Sequence, residues 1–265
     1  MRTPSPNASA RIEHTLALRI LRGEPAPGDC LPPVRTLAVE FGVTAPTIQR
    51  VVARLEGRGL VQAVHGSGVV VLDPRRHAGL AVLPLWFEAH AAEAAAGAKM
   101  LADVLSVRRG IAAQVIPQHR HALLAAAPAL LERLDLPPAG SDPLARAEAD
   151  LAATRMVLDI CGNAAAVAIF NTVEQLVRTV PHVAEALYGD AEAHAANWAD
   201  VLEALTLVDD PVACGARLEA ALAGTDIAAV ARFEARLAAE RDGATTTGIP
   251  TPVPTPERPG PRPRP

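Results

Sequence analysis

The stretch from Val43 to Val71, VTAPTIQRVVARLEGRGLVQAVHGSGVVV, constrains the fold of this chain more than any other. Its first half carries apolar residues at helical spacing, and Thr44 and Pro46 are residue types that favour the start of a helix. Its second half has two short apolar runs on either side of HGSG, a pattern typical of a β-hairpin with a glycine-bearing turn. A helix that leads into such a hairpin indicates a DNA-binding domain.

Two further helical segments precede this stretch. Residues 11–22 place apolar side chains on one helical face, and residues 34–42 form a shorter pattern that ends at a glycine. Three helices and a hairpin predict a winged helix-turn-helix domain over residues 11–74, after a disordered segment over residues 1–10. In this geometry the third helix presents its N-terminal turns to the major groove.

Seven residues of this domain are candidate DNA contacts: Arg35, Thr44, Thr47, Gln49, Arg50, His65 and Gly66. Glutamine can bond adenine in a bidentate manner and arginine can bond guanine, so the third helix carries two candidate base readers. Threonines and backbone N–H groups at a helix start suit phosphate, and the hairpin tip lets main chain approach DNA closely. The simpler interpretations are that Thr44 only caps its helix, that Arg35, Arg50, Arg54 and Arg58 are a solvated face, and that His65 is a turn residue.

Residues 25–71, beginning PAPGDCLPPVRTLAVEFG, resemble the DNA-binding domain of the GntR family of bacterial transcription regulators. The shared features include Leu31-Pro32, Gly42-Val43, Gly59-Leu60 and Gly66-Ser67-Gly68. In that family an arginine, residues of helix three and the wing tip contact the operator, which implies six of these seven positions here, all except Gly66. The chain departs from the usual pattern at Ala45 and Gln49, where the family often has arginine, so we expect a different operator sequence.

The remaining chain has a different composition. Residues 1–76 contain ten arginines and six acidic residues, a net charge of +4, whereas the rest has a net charge of −8. A linker is predicted over residues 75–84, followed by an alanine-rich, all-α bundle of six or seven helices over residues 85–242. Residues 243–265 are rich in proline and predict a disordered tail. The expected fold class is therefore mainly α.

Neither a membrane nor a disulfide framework is expected. The first ten residues lack the apolar core of a signal peptide, and no apolar run reaches the roughly 18 residues of a membrane span. The three cysteines lie far apart, at positions 30, 161 and 214. We therefore expect a cytoplasmic protein without a membrane partner.

The helical half carries a second resemblance, in AEADLAATRMVLDICGN at residues 147–163, to the effector domain of FadR-type GntR regulators. Many members of that subfamily bind a divalent metal with one aspartate and three histidines, and the metal holds a small carboxylate. Asp150 matches the aspartate, but Thr154 and the neighbourhoods of Trp198 and Ala221 stand at the histidine positions. The resemblance therefore implies no metal and no cofactor here, and His194 and the other histidines are expected on polar faces. The alternative is that His194, one turn before Trp198, approaches Asp150.

The metal-free branch of that subfamily regulates fatty-acid metabolism and binds long-chain acyl-CoA inside the bundle. The resemblance implies an apolar tunnel, with cations for the CoA phosphates; the candidate effector-binding residues are Arg108, Arg155, Arg178 and Trp198. The alternative is that the bundle simply packs tightly and that these arginines pair with its many carboxylates.

The leading hypothesis is a ligand-responsive regulator that binds a pseudo-palindromic DNA operator as a homodimer. There are two alternatives. One is a regulator that senses a small carboxylate through a degenerate metal site, and the other is a DNA-binding dimer without a ligand. An enzyme with a pyridoxal-phosphate domain is not expected, because Lys99 is the single lysine and no strand alternation follows it.

Overall fold

The structure is a computed structural model, and it describes residues 6–90, 93–134, 142–180 and 182–246. For residues 6, 7 and 242–246 it describes the backbone but not the side chains. It is mainly α-helical, and its β structure in these ranges is confined to the N-terminal part. The described helices include none that is both long and apolar enough to cross a membrane.

The N-terminal part is a winged helix-turn-helix domain. Its helices are α1 (Pro6–Leu21), α2 (Val34–Glu40) and α3 (Ala45–Gly57), and they precede the strands β1 (Val61–Val64) and β2 (Gly68–Val71). The strands pair antiparallel, with residue 61 opposite residue 71. Helix α1 thus begins at residue 6, so the described part of the segment predicted to be disordered is helical.

The buried face of α3 is the one that the sequence predicts. Ile48, Val51, Val52 and Leu55 are at most 8% exposed and pack with apolar residues of α1 and α2. A single backbone bridge from Cys30 to Val70 adds a third segment to the hairpin. The base of the hairpin is therefore held against the helical core of the domain.

The predicted linker over residues 75–84 is folded and packed. It contains α4 (Pro74–His77) and a 3₁₀ turn (Leu80–Val82), and α5 (Leu83–His90) follows. Val82 and Ala89 are buried in the N-terminal core, whereas Phe87 is buried in the core of the helical domain. Apolar side chains at alternate faces of α5 thus join the two domains, which is why no free linker separates them.

The helical domain continues with eight more helices: α6 (Ala94–Val115), α7 (Arg120–Ala125), α8 (Ala127–Arg133), α9 (Pro143–Cys161), α10 (Ala164–Thr179), α11 (Val183–Tyr188), α12 (Ala191–Leu207) and α13 (Pro211–Thr246). With α5 these make nine helices in the described ranges, more than the six or seven predicted, because α7, α8 and α11 are short. Helix α13 passes the predicted boundary at residue 242, and the rest of the predicted tail lies outside the described residues.

Side-chain caps explain the breaks between these helices. Asp142, Asn163 and Asp190 each accept a hydrogen bond from a backbone N–H in the first turn of α9, α10 and α12. Gly162 ends α9 in the left-handed conformation, with φ at 62°. These residues satisfy backbone groups that a helix end leaves without partners, so the chain can reverse direction at each break.

Candidate DNA interface and ligand cavity

Four of the predicted DNA contacts are accessible and lie near the starts of α2 and α3. Arg35, Thr44, Gln49 and Arg50 are all exposed. Within the described chain, neither Arg35 nor Arg50 has an ion-pair or hydrogen-bond partner for its guanidinium. Two exposed cations beside a helix N-terminus form a surface suited to a polyanion.

The position of Thr47 differs from the prediction that it contacts DNA. Its residue is 2% exposed, and its hydroxyl lies 3.0 Å from the hydroxyl of Thr44. Position 47 adjoins Ile48 and shares its buried environment, so the side chain fixes the start of α3 from inside. The structure therefore does not place Thr47 at the DNA surface.

Arg54 and Arg58 are partly solvated, as one interpretation of the sequence has it, but they also form ion pairs. Both bind the carboxylate of Glu13, at 3.2 and 2.9 Å, and Glu13 is only 8% exposed. Because Glu13 belongs to α1, these ion pairs hold the C-terminal end of α3 against α1. They orient the helix and leave its N-terminal turns free.

The wing tip is exposed, as the sequence predicts. His65 and Gly66 are both accessible, and Gly66 and Gly68 have φ values of 80° and 94°. Residues with side chains rarely adopt such angles, which explains the two glycines of the turn. The Cys30 thiol donates a hydrogen bond to the carbonyl of Ser67 at 3.3 Å and ties the tip to the preceding loop.

The helical domain encloses a cavity with two adjoining lobes. Both lobes are lined by α6 and α9. The first also contacts α7, α8, α12 and α13 and has a volume of about 120 Å³. The second also contacts α10 and Tyr188 and has a volume of about 90 Å³. Their walls share three polar residues, Arg108, Asp150 and Thr154, which therefore lie where the lobes meet. We call these three residues the waist.

Asp150 is the centre of a buried hydrogen-bond cluster. Its Oδ1 accepts from His194 Nε2 at 2.9 Å and from Trp198 Nε1 at 2.6 Å, and its Oδ2 accepts from the Tyr188 hydroxyl at 2.8 Å. Burial alone would raise the pKa of Asp150, but the hydrogen bond from His194, with those from Trp198 and Tyr188, brings it below its ordinary value. Burial, and then the charge of Asp150, raise the pKa of Tyr188.

Arg108, the cation of the waist, is bound by a carboxylate of α13. Its Nη2 bonds Asp226 at 2.6 Å, and Arg109 bonds the second oxygen of the same carboxylate at 2.6 Å. Asp226 is 3% exposed and belongs to α13, so the pair fastens α6 to α13. The Nε of Arg108 is buried and has no partner among the described residues.

The structure does not bring Arg155 and Arg178 to the cavity. Arg155 bonds Glu174 at 2.6 Å and lies over the ring of Phe170, with 4.9 Å from its guanidinium carbon to the ring centre. Arg178 bonds Glu148 at 3.1 Å and also Glu174. Of the four predicted effector contacts, Arg108 and Trp198 line the cavity and these two do not.

Comparison with known proteins gives three findings. Residues 8–71 match the model of the gntR family of bacterial regulatory proteins. The uncharacterized HTH-type transcriptional regulator Rv0494 of Mycobacterium tuberculosis is 30% identical over 234 residues, which span 85% of this chain and 91% of the relative. The chain belongs to the GntR family. The regulator Mce2R of M. tuberculosis is 44% identical over 69 residues, or 26% of this chain and 29% of the relative.

Among solved structures, one described as Lar, which controls the expression of the Listeria monocytogenes agr system, aligns with a TM-score of 0.48. Its sequence is 15% identical, and the alignment covers 86% of this chain and 98% of that one.

The metal that many GntR effector domains bind does not fit the residues around Asp150. Across the described ranges, no three His, Cys, Asp or Glu side chains converge in a way that suits a metal ion. Both oxygens of Asp150 already accept from N–H or O–H donors, and an indole N–H is no metal ligand. The hydrogen bonds to Asp150 thus form an arrangement that does not suit a metal ion.

Sequence reasoning missed part of this cluster. His194, expected on a polar face, is 5% exposed and contacts Asp150. Its spacing of four residues from Trp198 places both on one face of α12, and that signal was available. Tyr188 and Asp226 gave no comparable signal, because a single tyrosine at a helix end and a single aspartate in an alanine-rich helix usually lie at the surface.

Proposed function

We propose that this GntR-family transcription regulator binds a pseudo-palindromic operator as a homodimer and that a small molecule in its helical domain changes the affinity. DNA binding and transcription regulation follow from the family. The operator symmetry, the homodimer and the effector are the proposal. The observation that best supports an influence of the effector on DNA affinity is the helix α5, which contributes side chains to both cores.

The DNA contacts are assigned by exposure and charge. Arg35 and Thr44 suit phosphate, whereas Gln49 and Arg50 project from α3 and suit base edges. The wing tip at His65 and Gly66 suits the backbone or the minor groove. Each assignment is supported by an accessible side chain or turn, and Thr47 contributes only through packing.

The effector is proposed to occupy the two-lobed cavity. The lobes are mostly apolar, which suits the acyl chain of the acyl-CoA that the sequence suggests. Binding of the CoA phosphates is less well supported, because Arg155 and Arg178 form ion pairs with Glu174 and Glu148. A small carboxylate held by a metal finds less support still, since the donor set around Asp150 does not suit a metal.

Coupling between cavity and DNA has a direct physical route. Helix α6 lines the cavity and packs against α5, and Leu85 and Trp86 of α5 pack on the N-terminal core. A ligand that displaces α6 therefore also displaces α5, and this changes the position of the DNA-binding domain relative to the helical domain. In a two-fold dimer such a change alters the spacing of the two recognition helices.

Footprinting on DNA that flanks the protein's own coding region tests the symmetry. We expect two protected half-sites related by a two-fold axis, with centres separated by about 10 base pairs or a multiple of it. Protection of one isolated half-site by a species with the mass of a monomer would contradict the dimer.

A further inference from the structure

We propose that the effector is an uncharged molecule with one hydrogen-bonding group, such as a ketone or ester carbonyl, in its middle and an apolar arm on each side. This inference rests on the proposed effector cavity and names the class of ligand that fits it. It follows from the position of the polar groups, which lie between two apolar lobes rather than at one end.

The lobes define the two arms. The first is walled by leucines of several helices, among them Leu130, Leu205 and Leu218. The second is walled by Val115, Phe170 and other apolar side chains. Since an apolar cavity of about 150 Å³ holds one benzene molecule, lobes of about 120 and 90 Å³ suit arms of about four to five carbon atoms.

The waist defines the central group. Arg108 offers a buried Nε–H without a partner, and the Thr154 hydroxyl forms no side-chain hydrogen bond with any residue of the described chain. Both are donors that an accepting carbonyl oxygen can satisfy. The neighbouring Trp198 and Tyr188 donate to Asp150 and so are not available to a ligand.

The charges of the waist disfavour an anionic ligand. Asp150 is ionised at neutral pH, since its pKa lies below the ordinary value. Arg108 and Arg109 share the single carboxylate of Asp226, so these three groups and Asp150 together carry no net charge. A ligand carboxylate at the waist would therefore add a buried charge without a counter-ion, whereas a neutral carbonyl adds none.

The test compares three compounds by thermal denaturation of the full chain. Dipentyl ketone has its carbonyl between two five-carbon chains, undecanoate has the same number of carbons with a terminal carboxylate, and palmitoyl-CoA is the acyl-CoA. We expect dipentyl ketone in large excess to raise Tm by about 5 °C and the other two to have little effect.

Variants locate the binding. Ala127→Leu fills the first lobe and Ala166→Leu the second, so each should remove the shift, whereas Ala165→Leu, on the exposed side of α10, should keep it. Thr154→Val keeps the shape of the waist and removes the hydroxyl, and we expect about tenfold weaker binding. Each variant is compared with its own melting temperature without ligand, which separates ligand loss from altered stability.

Three results would overturn the inference. A larger shift with undecanoate or palmitoyl-CoA, removed by the lobe-filling variants, would leave the effector cavity in place and refute the uncharged, centrally polar ligand. A ketone shift that survives both lobe-filling variants would place binding elsewhere. No shift with any of the three compounds would refute the uncharged ligand with a central carbonyl, while the regulator's operator binding, measured separately, would stand.

Discussion

The arginines of the two domains have different surroundings. Arg35 and Arg50 in the DNA-binding domain are exposed and, within the described chain, have no partner. The arginines of the helical domain that the sequence singled out as cations instead bind carboxylates of the same chain, as Arg108 and Arg155 illustrate. Guanidinium groups of the first kind are available to a polyanion, whereas those of the second kind hold helices together. The candidate DNA-contacting arginines are therefore available for recognition, whereas Arg54 and Arg58 of the same domain pair with Glu13, as the arginines of the helical domain pair with its carboxylates.

Loss of Asp226 should give the largest effect, and it tests the architectural role. Asp226→Ala leaves Arg108 and Arg109 without their shared carboxylate at the α6–α13 contact. We expect the free energy of unfolding to fall by about 3 kcal/mol, because breaking a largely buried ion pair leaves uncompensated charge. Chemical denaturation measures it, with Asp200→Ala on the exposed side of α12 as the control. Equal stabilities of the two variants would show that the Asp226 pairs contribute nothing.

The cluster around Asp150 should give a smaller, pH-dependent effect. Its pKa is lower in the folded than in the unfolded chain, so its stabilisation is complete above about pH 4 and is lost as the pH falls through the folded value. We expect Asp150→Asn to cost about 2 kcal/mol at pH 7 and less at pH 3. Asp159→Asn, exposed on the same helix, is the control. A cost for Asp150→Asn that does not change with pH would contradict an ionised acceptor.

Removal of the proline-rich tail should give the smallest effect. A chain that ends at Thr246 keeps all of α13 and loses a segment with no apolar periodicity to bury. We expect its Tm to lie within about 2 °C of that of the full chain, measured by the same thermal scan. A drop of many degrees would show that the tail docks on the helical domain.

The DNA-binding domain could be predicted from sequence to a large extent. Its elements are short and contiguous, and glycines such as Gly66 and Gly68 stand where the backbone requires a positive φ. The exceptions there are contacts made across the fold. Thr47 is buried and its hydroxyl contacts that of Thr44. Arg54 forms an ion pair with Glu13 of α1. Neither distance along the chain nor residue type shows which partner such a side chain meets.

The helical domain could be predicted only in outline. Caps such as Asn163 and Asp190 marked its breaks, but alanine-rich helices are similar to one another and do not specify which faces meet. The position of Asp150 between Tyr188, His194 and Trp198 depends on the packing of three helices. The folded segment before α5, predicted to be a linker, was also missed, because Val82 gains its burial only from the N-terminal core.

The salt dependence of operator binding tests the difference between the two sets of arginines most directly. Titrations over a range of salt concentrations compare the wild-type chain, the double variant Arg35→Ala/Arg50→Ala, and the double variant Arg155→Ala/Arg178→Ala. Per half-site, we expect the first double variant to bind more weakly and to lower the salt slope by about 1 to 2, because each lost phosphate contact removes about 0.9. The second double variant should keep the wild-type slope. A wild-type slope in the first double variant with its fold intact, or an equal loss in both, would contradict the assignment of the DNA interface.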